Sequence, residues 1–398
     1  MLSEKITEKL AEVLVDRIEE LNTTILEEVG NSIKELGKLT PSQAYKLIED
    51  IKFGGSYNKI IKKLAEITNM NEKDILRILK EVAIQDQNFA KQFYEYRKKD
   101  FIPYEKNIAL QNQVKAIAKL TQSTYKNLMN TSAMVLDNKY VSLGNIYQKA
   151  LDRAVISIAQ GKDTYQTQMR KIIKEMADKG IRTRTDREGN NTYVKVVDYK
   201  SGTSRRLDSA VRMSIMDGMR TLSNEIQKQF GEEFGADGIE ISVHEHPAED
   251  HEDIQGHQYS NEEFEKLNNS LERPIGTLNC QHYIFSIVLG VSKPEYTQEQ
   301  LNKLKNDNKT GFSFEGKHYT LYEGTQLQRQ IETKIRTLKD RQIGLKALGD
   351  YEEVGNCQRQ ITQLTHKYND LCKASGLKPK KQRMSVSGYR RVNVSSYR

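Results

Sequence analysis

The chain has 398 residues, of which 37% are apolar, with no Trp, six Pro and a formal net charge of +8. This length allows two or three domains, while the low apolar content and a mean hydropathy of −0.72 favour long solvated helices over one thick core. No segment approaches the roughly 20 consecutive apolar residues of a membrane span, and no signal peptide is expected. Three scattered cysteines argue against a disulfide framework and suit a reducing cytoplasm.

The N-terminal third is predicted to be helical. Apolar residues recur three or four positions apart over residues 1–36, which indicates one long amphipathic helix. Thr40 to Gln43 has the composition of a capping box, Gly54-Gly55 breaks the helix that follows, and Asn71 with Asp74 is predicted to start another. The further helices are expected at about residues 40–53, 57–68, 71–96 and 104–138. Stripes of this kind are typical of helix–helix packing rather than of ligand binding.

The middle of the chain mixes helices and strands. Two helices are predicted over residues 143–180, and a β-hairpin rich in β-branched and aromatic residues over 182–199. A basic turn at Lys200–Arg206 then leads into a helix over about 207–230. The sequence IEISV that follows predicts a strand with His244 just beyond its end.

The C-terminal part returns to helices. A short helix over residues 296–308 and a hairpin over 311–324 precede two helices, at 325–348 and 351–375, which predict an antiparallel helical hairpin with a coiled-coil seam. The predicted fold class is therefore mainly α with a small α+β domain. The predicted regions are a helical part (1–140), an α+β domain with a His/Cys cluster (141–295), a short hairpin plus helical hairpin (296–375), and a basic flexible tail (376–398).

The positive charge is concentrated near the C-terminus. Residues 321–398 hold 16 Lys and Arg against 7 Asp and Glu, and the rest of the chain is nearly balanced. Such an end either stays solvated or contacts a polyanion such as DNA. The candidate nucleic-acid-binding residues of the tail are Lys378, Lys380, Lys381, Arg383, Arg390 and Arg391.

Five of the seven histidines and one of the three cysteines lie between residues 240 and 290. Soft and borderline ligands on two short segments are a recurring pattern of zinc sites. Cys280 and His282 are two residues apart, so on an extended strand both point to one face. His246 and His257 are interpreted as bystanders. In an equally weighted alternative, Asn279, Cys280 and His282 are packing and hydrogen-bonding residues that hold the loop, and the upstream histidines are exposed at the surface. The candidate zinc ligands are His244, His251, Cys280 and His282.

A metal-dependent hydrolase is the alternative for this segment, because acidic residues between 245 and 253 supply candidate general bases. The chain has no HExxH, GxSxG or P-loop motif. We also expect a Cys280–His282 pair two residues apart not to bring thiolate and imidazole into contact across a pocket. Catalysis is therefore not predicted, and a structural zinc site is preferred.

Several segments together resemble the phage minor capsid protein 2 family, which is grouped with the Mu F-like head-morphogenesis proteins of tailed bacteriophages. The resemblance covers roughly Leu143–Tyr389 and includes YQKALDRAVISIAQGKDTYQTQMRKIIKEMADKGI, RRLDSAVRMSIMDGM, the His-rich segment and NCQHY…GVSKPEY. In the family pattern, His244 and His251 match two histidines, Gln255-Gly256 matches a Gln-Gly pair, and Asn279 to His282 matches a later group containing Cys and His.

The resemblance implies a virion structural protein. It implies a minor head protein inside the capsid near the portal, made in the bacterial host cytoplasm. The implied partners are the portal protein, other head proteins and packaged DNA, with roles in head assembly and in DNA packaging or ejection. A nucleic-acid-binding protein without a capsid role remains a further alternative.

Overall fold

The computed structural model of the protein describes residues 4–40, 42–44, 55–96, 98–130, 132–136, 139–159, 162–181, 206–271, 274–276 and 280–393. The helices are α1 (Glu4–Leu36), α2 (Gly55–Tyr96), α3 (Ile108–Asn130), α4 (Leu143–Ala159), α5 (Lys162–Lys179), α6 (Leu207–Phe234), α7 (Glu249–Glu252), α8 (Asn261–Ser270), α9 (Gln298–Thr310), α10 (Leu321–Leu348) and α11 (Tyr351–Ser375). The strands are β1 (Ala133–Leu136), β2 (Lys139–Ser142), β3 (Gly238–Ile241), β4 (Gln258–Ser260), β5 (Ile284–Ile287), β6 (Phe312–Phe314) and β7 (Lys317–Tyr319). The predicted class, mainly α with small antiparallel β elements, is confirmed.

Helix α1 lies at the centre of the helical body and packs on α2, α4, α6 and α10. Its predicted apolar stripe is buried, with Leu14, Leu21 and Ile25 at 0% exposure. Each such side chain stabilises the fold by about 1.5–3 kcal/mol through burial. One hydrophobic cluster runs from Ala11 to Val392 and so joins all four regions predicted from the sequence. The region boundaries themselves stay a prediction.

The predicted helix break near residue 70 is wrong, because α2 is continuous from Gly55 to Tyr96. Asn71 is fully buried and its side-chain amide donates to the Tyr125 hydroxyl at 3.0 Å. Its amide oxygen accepts from the Arg17 guanidinium at 2.8 Å, and Asp74 accepts from the same guanidinium at 2.5 Å. The Asn and Asp that suggest a cap in sequence therefore serve contacts between helices.

The predicted helix over residues 104–138 is too long at both ends. Helix α3 covers Ile108–Asn130, and β1 and β2 then pair antiparallel with Ala133 opposite Ser142. All four residues of β1 are buried, so its continuous apolar run, AMVL, fits a buried strand better than one face of a helix. The hairpin predicted over 182–199 and most of the basic turn before α6 lie outside the described residues.

The C-terminal elements match their predictions closely. Strands β6 and β7 form the expected hairpin, and α10 and α11 pack as the expected helical pair. Gly349 separates the two helices in a left-handed conformation, φ 85°, and caps the end of α10. Capping boxes at Thr297 and Thr320 start α9 and α10.

Residues 376–393 are packed against the helices, so the prediction of a flexible tail is wrong for this part. Met384 and Val392 are each 8% exposed, and the Val392 N–H donates to the Gln358 side chain at 3.1 Å. Arg383 forms an ion pair with Glu8, and the Lys380 N–H donates to the Tyr368 hydroxyl. The prediction of flexibility followed from the many charged residues in this segment. The few apolar residues between them are buried, however, and hold the segment against the helices. The candidate tail residues that stay exposed are Lys378, Lys381, Arg390 and Arg391.

Five buried charged side chains join α1, α6 and α10. Arg336 contacts Glu19 at 3.2 Å and Asp208 at 2.5 Å. Arg206 contacts Asp340 at 2.9 Å and lies 3.5 Å from Asp208. Three acidic and two basic groups leave one excess negative charge in this charge cluster. Burial, followed by the carboxylate of Asp208, raises the pKa of Glu19 to about 7.

Replacing Glu19 by Gln is expected to flatten the dependence of stability on pH. Because the folded-state pKa of Glu19 exceeds its unfolded value, its contribution is fully present below pH 4.5 and is lost as the pH rises through about 7. Relative to the parent, the variant should therefore gain about 1–3 kcal/mol in free energy of unfolding between pH 5 and pH 8. Urea unfolding across this range measures the difference. Glu20→Gln, at a half-exposed neighbour, is the control, and parallel curves for parent and Glu19→Gln would contradict the expectation.

Candidate metal centre

A small three-stranded sheet positions the His-rich segment. Strand β3 lies in the middle and pairs antiparallel with both β4 and β5. The buried apolar residues of this unit are few, and they form a cluster separate from the main core: Ile241, Phe264, Ile275 and Cys280. So small a cluster stabilises little by apolar burial alone, and additional links between its segments therefore matter more.

Three of the four predicted ligands come together beside this sheet. His251 lies in α7, and Cys280 and His282 lie in the segment before β5. The Cys280 Sγ is 3.3 Å from His282 Nδ1 and 3.7 Å from His251 Nδ1. One donor atom from each residue falls within 4.8 Å of the others, and all three residues are buried. The His/Cys triad, as we call these three residues, can hold a metal ion.

The environment of Cys280 favours its metal-binding form. Burial raises the pKa of its thiol, but hydrogen bonds with His251 and His282 outweigh burial and lower the pKa to about 5. The thiolate, rather than the thiol, is the species that ligates metals. Sulfur with two imidazole nitrogens is a donor set typical of zinc and other borderline cations.

His244 is the predicted ligand that the structure keeps apart from the triad. Its Nδ1 accepts from the His246 N–H at 3.1 Å, and its ring centroid lies 6.0 Å from that of His282. Burial and then the neighbouring His282 lower the pKa of His244 to about 3. His244 thus lies beside the triad without belonging to it. His246 and His257, interpreted as bystanders, also lie outside it.

The expectation that Cys280 and His282 would not touch is wrong. Their side chains are in contact because residues 280–283 precede the strand, whose ladder begins at Ile284. This segment does not have the regular geometry of a strand, and the His282 N–H donates to the Cys280 Sγ at 3.4 Å. The two side chains can therefore touch each other, whereas in a regular strand they would lie parallel on one face.

Gln255 is the residue of the site that ligand spacing alone does not identify. It is 5% exposed, and its side-chain oxygen accepts from the His244 N–H at 2.8 Å and lies 3.0 Å from His282 Nε2. In the sequence, Gln255 is indicated by its match to the Gln-Gly pair of the family pattern. That match does not say what the side chain does.

Gly256→Ala is expected to destabilise the unit that carries the triad. Gly256 has φ 70°, and an added Cβ would lie 2.6 Å from Leu301 and 2.9 Å from Val243. Gly290→Ala is a matched control, since its φ is 72° and no heavy atom lies within 4 Å of the added Cβ. We expect about 1 kcal/mol for the control, from backbone strain, and about 2–3 kcal/mol for Gly256→Ala, from strain plus overpacking. Thermal unfolding measures the two losses of stability. Equal losses in Gly256→Ala and Gly290→Ala would contradict the expectation, because the side chains of Leu301 and Val243 would then move aside without cost.

The fold and the site together define a mainly helical protein with a small sheet, beside which lies a buried His/Cys triad that could hold a metal ion. The chain matches the family model "Phage minor capsid protein 2" over residues 2–373, and it therefore belongs to this family. The match confirms the family indicated by the sequence, and it includes the N-terminal helices, which lie outside the segments that carry the resemblance. No curated protein and no solved structure matches the chain.

Membership of this family makes the chain a bacteriophage capsid component, with other head proteins as its partners. Among the described residues, no helix combines the length and the apolar character that crossing a membrane requires.

Proposed function

We propose that the protein is a portal-associated minor head protein that acts inside the capsid during head assembly. The observation that carries this proposal is the family match, which spans nearly the whole chain. The long helices support it, because they offer extended surface for contacts with other proteins. The shared hydrophobic core also supports this proposal. The core joins α1 to Met384 and Val392, so parts of the chain that are far apart in sequence pack together. In this role the protein is not an enzyme.

Co-expression with the portal protein of the same phage tests the portal association. We expect the two proteins to co-elute at the size of a portal ring in size-exclusion chromatography. The major capsid protein, co-expressed in the same way, is the comparison partner. Elution of the chain alone, in the presence of assembled portal rings, would contradict the proposal.

We further propose that the packed C-terminal segment contacts packaged DNA, as part of DNA packaging or ejection. Residues 376–393 contain no acidic side chain, and Lys378, Lys381, Arg390 and Arg391 are exposed. Arg383 has a lesser role in this proposal because Glu8 already neutralises it. Phosphate contacts of this kind make binding strongly dependent on salt.

Replacing the four exposed basic residues by Gln tests the DNA contact without removing the buried Met384 and Val392, which truncation would do. The slope of log affinity against log salt concentration should fall by about 0.9 for each DNA phosphate that the variant no longer neutralises. A variant with Lys98, Lys106, Lys115 and Lys119 changed to Gln is the control, because these side chains are equally exposed on another part of the surface. An equal slope in parent and tail variant would reject the DNA contact.

We propose that the ion of the triad is zinc and that its role is structural. The donor set, one sulfur and two imidazole nitrogens, supports zinc. The small apolar cluster around it supports a structural role, because binding energy at such a site becomes folding energy for α7 and the segment before β5.

A further inference from the structure

Gln255 links the two segments that carry the triad. Its N–H donates to the His251 carbonyl at 3.2 Å, which fixes Gln255 one turn beyond that ligand. Its side chain reaches across to His282, 27 residues further along the chain. The same side-chain oxygen accepts from the His244 N–H, at the end of the segment that follows β3. One amide group thus lies at the meeting point of three segments.

The contact with His244 decides which end of the Gln255 amide faces the site. A backbone N–H can only donate, so the amide atom 2.8 Å from the His244 nitrogen is the oxygen. That oxygen is also the atom 3.0 Å from His282 Nε2. Because an amide oxygen cannot donate, Nε2 of His282 must carry the proton.

This assignment leaves the other ring nitrogen of His282 ready for a metal. With Nε2 protonated, Nδ1 is the nitrogen that faces the Cys280 sulfur, 3.3 Å away. A proton shared between Nδ1 and the sulfur in the metal-free protein is the one that a bound ion would replace. His251 has the same orientation, with Nδ1 toward the sulfur at 3.7 Å and Nε2 3.8 Å from an Asp250 carboxylate oxygen. In both histidines, Nδ1 faces the common point, and Nε2 of His282 lies within hydrogen-bond distance of an oxygen atom. Such outer oxygen atoms orient histidine ligands in protein metal sites.

We propose that Gln255 is a positioning residue that sets His282 as an Nδ1 ligand of a zinc-class divalent cation. The ion would be shared with the Cys280 thiolate and with Nδ1 of His251. This proposal rests on the zinc site proposed above, but its first step, the proton position on His282, holds in the metal-free protein as well. Experiments can therefore reject the positioning role of Gln255 and the zinc site separately.

Gln255→Met keeps the length of the side chain and removes the acceptor, whereas Gln255→Glu keeps an acceptor oxygen. Gln258→Met is the matched control. Gln258 lies in the same sheet and its amide donates to Glu240 at 2.7 Å and to the Ser292 carbonyl at 3.3 Å, away from the triad. A general loss of hydrogen bonds in the unit should thus affect Gln255→Met and Gln258→Met alike.

Two measurements on the full-length protein test the proposal. In the metal-free state, nitrogen-15 NMR of the imidazoles should show His282 protonated on Nε2 in the parent and in Gln255→Glu, but not held in that form in Gln255→Met. In competition with a chelator, zinc affinity should fall by about 10–100-fold in Gln255→Met and stay close to the parent in Gln255→Glu and Gln258→Met. Cobalt substitution should show the thiolate charge-transfer band weakened or shifted only in Gln255→Met.

An unchanged proton position and unchanged zinc affinity in Gln255→Met would overturn the positioning role while leaving the zinc site intact. Equal losses of affinity in Gln255→Met and Gln258→Met would also overturn it, since the effect would then be general destabilisation. A parent protein that binds neither zinc nor cobalt would instead overturn the zinc site. In that case a His282 proton on Nε2 would identify Gln255 as a hydrogen-bonding residue of the sheet alone.

Discussion

Arg336→Met is expected to lower the free energy of unfolding by about 3–5 kcal/mol. Arg336 is 16% exposed and pairs with Glu19 and Asp208, whose side chains are 12% and 4% exposed. Removing the guanidinium leaves both carboxylates in a poorly solvated site without the ion pairs that Arg336 makes with them. The loss reflects those stranded charges more than the strength of the original pairs. Urea unfolding at pH 8, where Glu19 is ionised, measures it.

Two further variants separate this explanation from a general effect of losing an arginine. Arg77→Met removes a 54% exposed partner of Asp74 and Glu81 and should cost under about 1 kcal/mol. Adding Glu19→Gln to Arg336→Met should recover part of the stability, because one stranded charge is removed. Losses of similar size for Arg336→Met and Arg77→Met, without recovery in the double variant, would contradict the account of the charge cluster.

If the triad holds zinc, as proposed above, removal of the ion should have a comparable effect on stability. A ligand present at about 100–1000 times its dissociation constant stabilises the folded state by about 3–4 kcal/mol. We therefore expect a chelator to lower the free energy of unfolding of the parent by this amount, and Cys280→Ala to abolish the difference between zinc-loaded and chelated protein. Thermal unfolding with zinc and with chelator, together with metal analysis of the purified protein, measures both quantities.

Cys357→Ala is the matched control for the cysteine change. Cys357 is also buried, at 3% exposure, but it lies in α11 within the main core. Its replacement should create a cavity and lower stability equally with and without zinc. If Cys280→Ala kept a zinc-dependent gain in stability, the assignment of the thiolate as a ligand would be rejected.

The elements that could be predicted from the sequence are those whose structure depends on residues close together in the chain. The stripe of α1, the helical pair α10 and α11 and the glycine at 349 follow from apolar spacing and from backbone conformation, which neighbours in sequence determine. The break near Asn71 failed for the opposite reason. That side chain suits a helix cap, but its partners, Arg17 and Tyr125, are 54 residues away on other helices.

The candidate site was predictable in composition but not in geometry. The density of His and Cys residues identified the segment, and the spacing of Cys280 and His282 identified two of the three members of the triad. The choice of His251 over His244 depends on how α7 and the segment before β5 come together, which sequence spacing does not encode. The role of Gln255 depends on an amide orientation that only the contact with the His244 backbone reveals.

Quantitative mass spectrometry of purified, nuclease-treated phage heads tests the central claim most directly. If the chain is a portal-associated minor head protein, it will be present at a fixed low ratio to the major capsid protein and in constant proportion to the portal. Inside intact heads it should also resist an added protease that digests it in the free state. Absence from purified heads, or a ratio to portal that varies between preparations, would contradict the account.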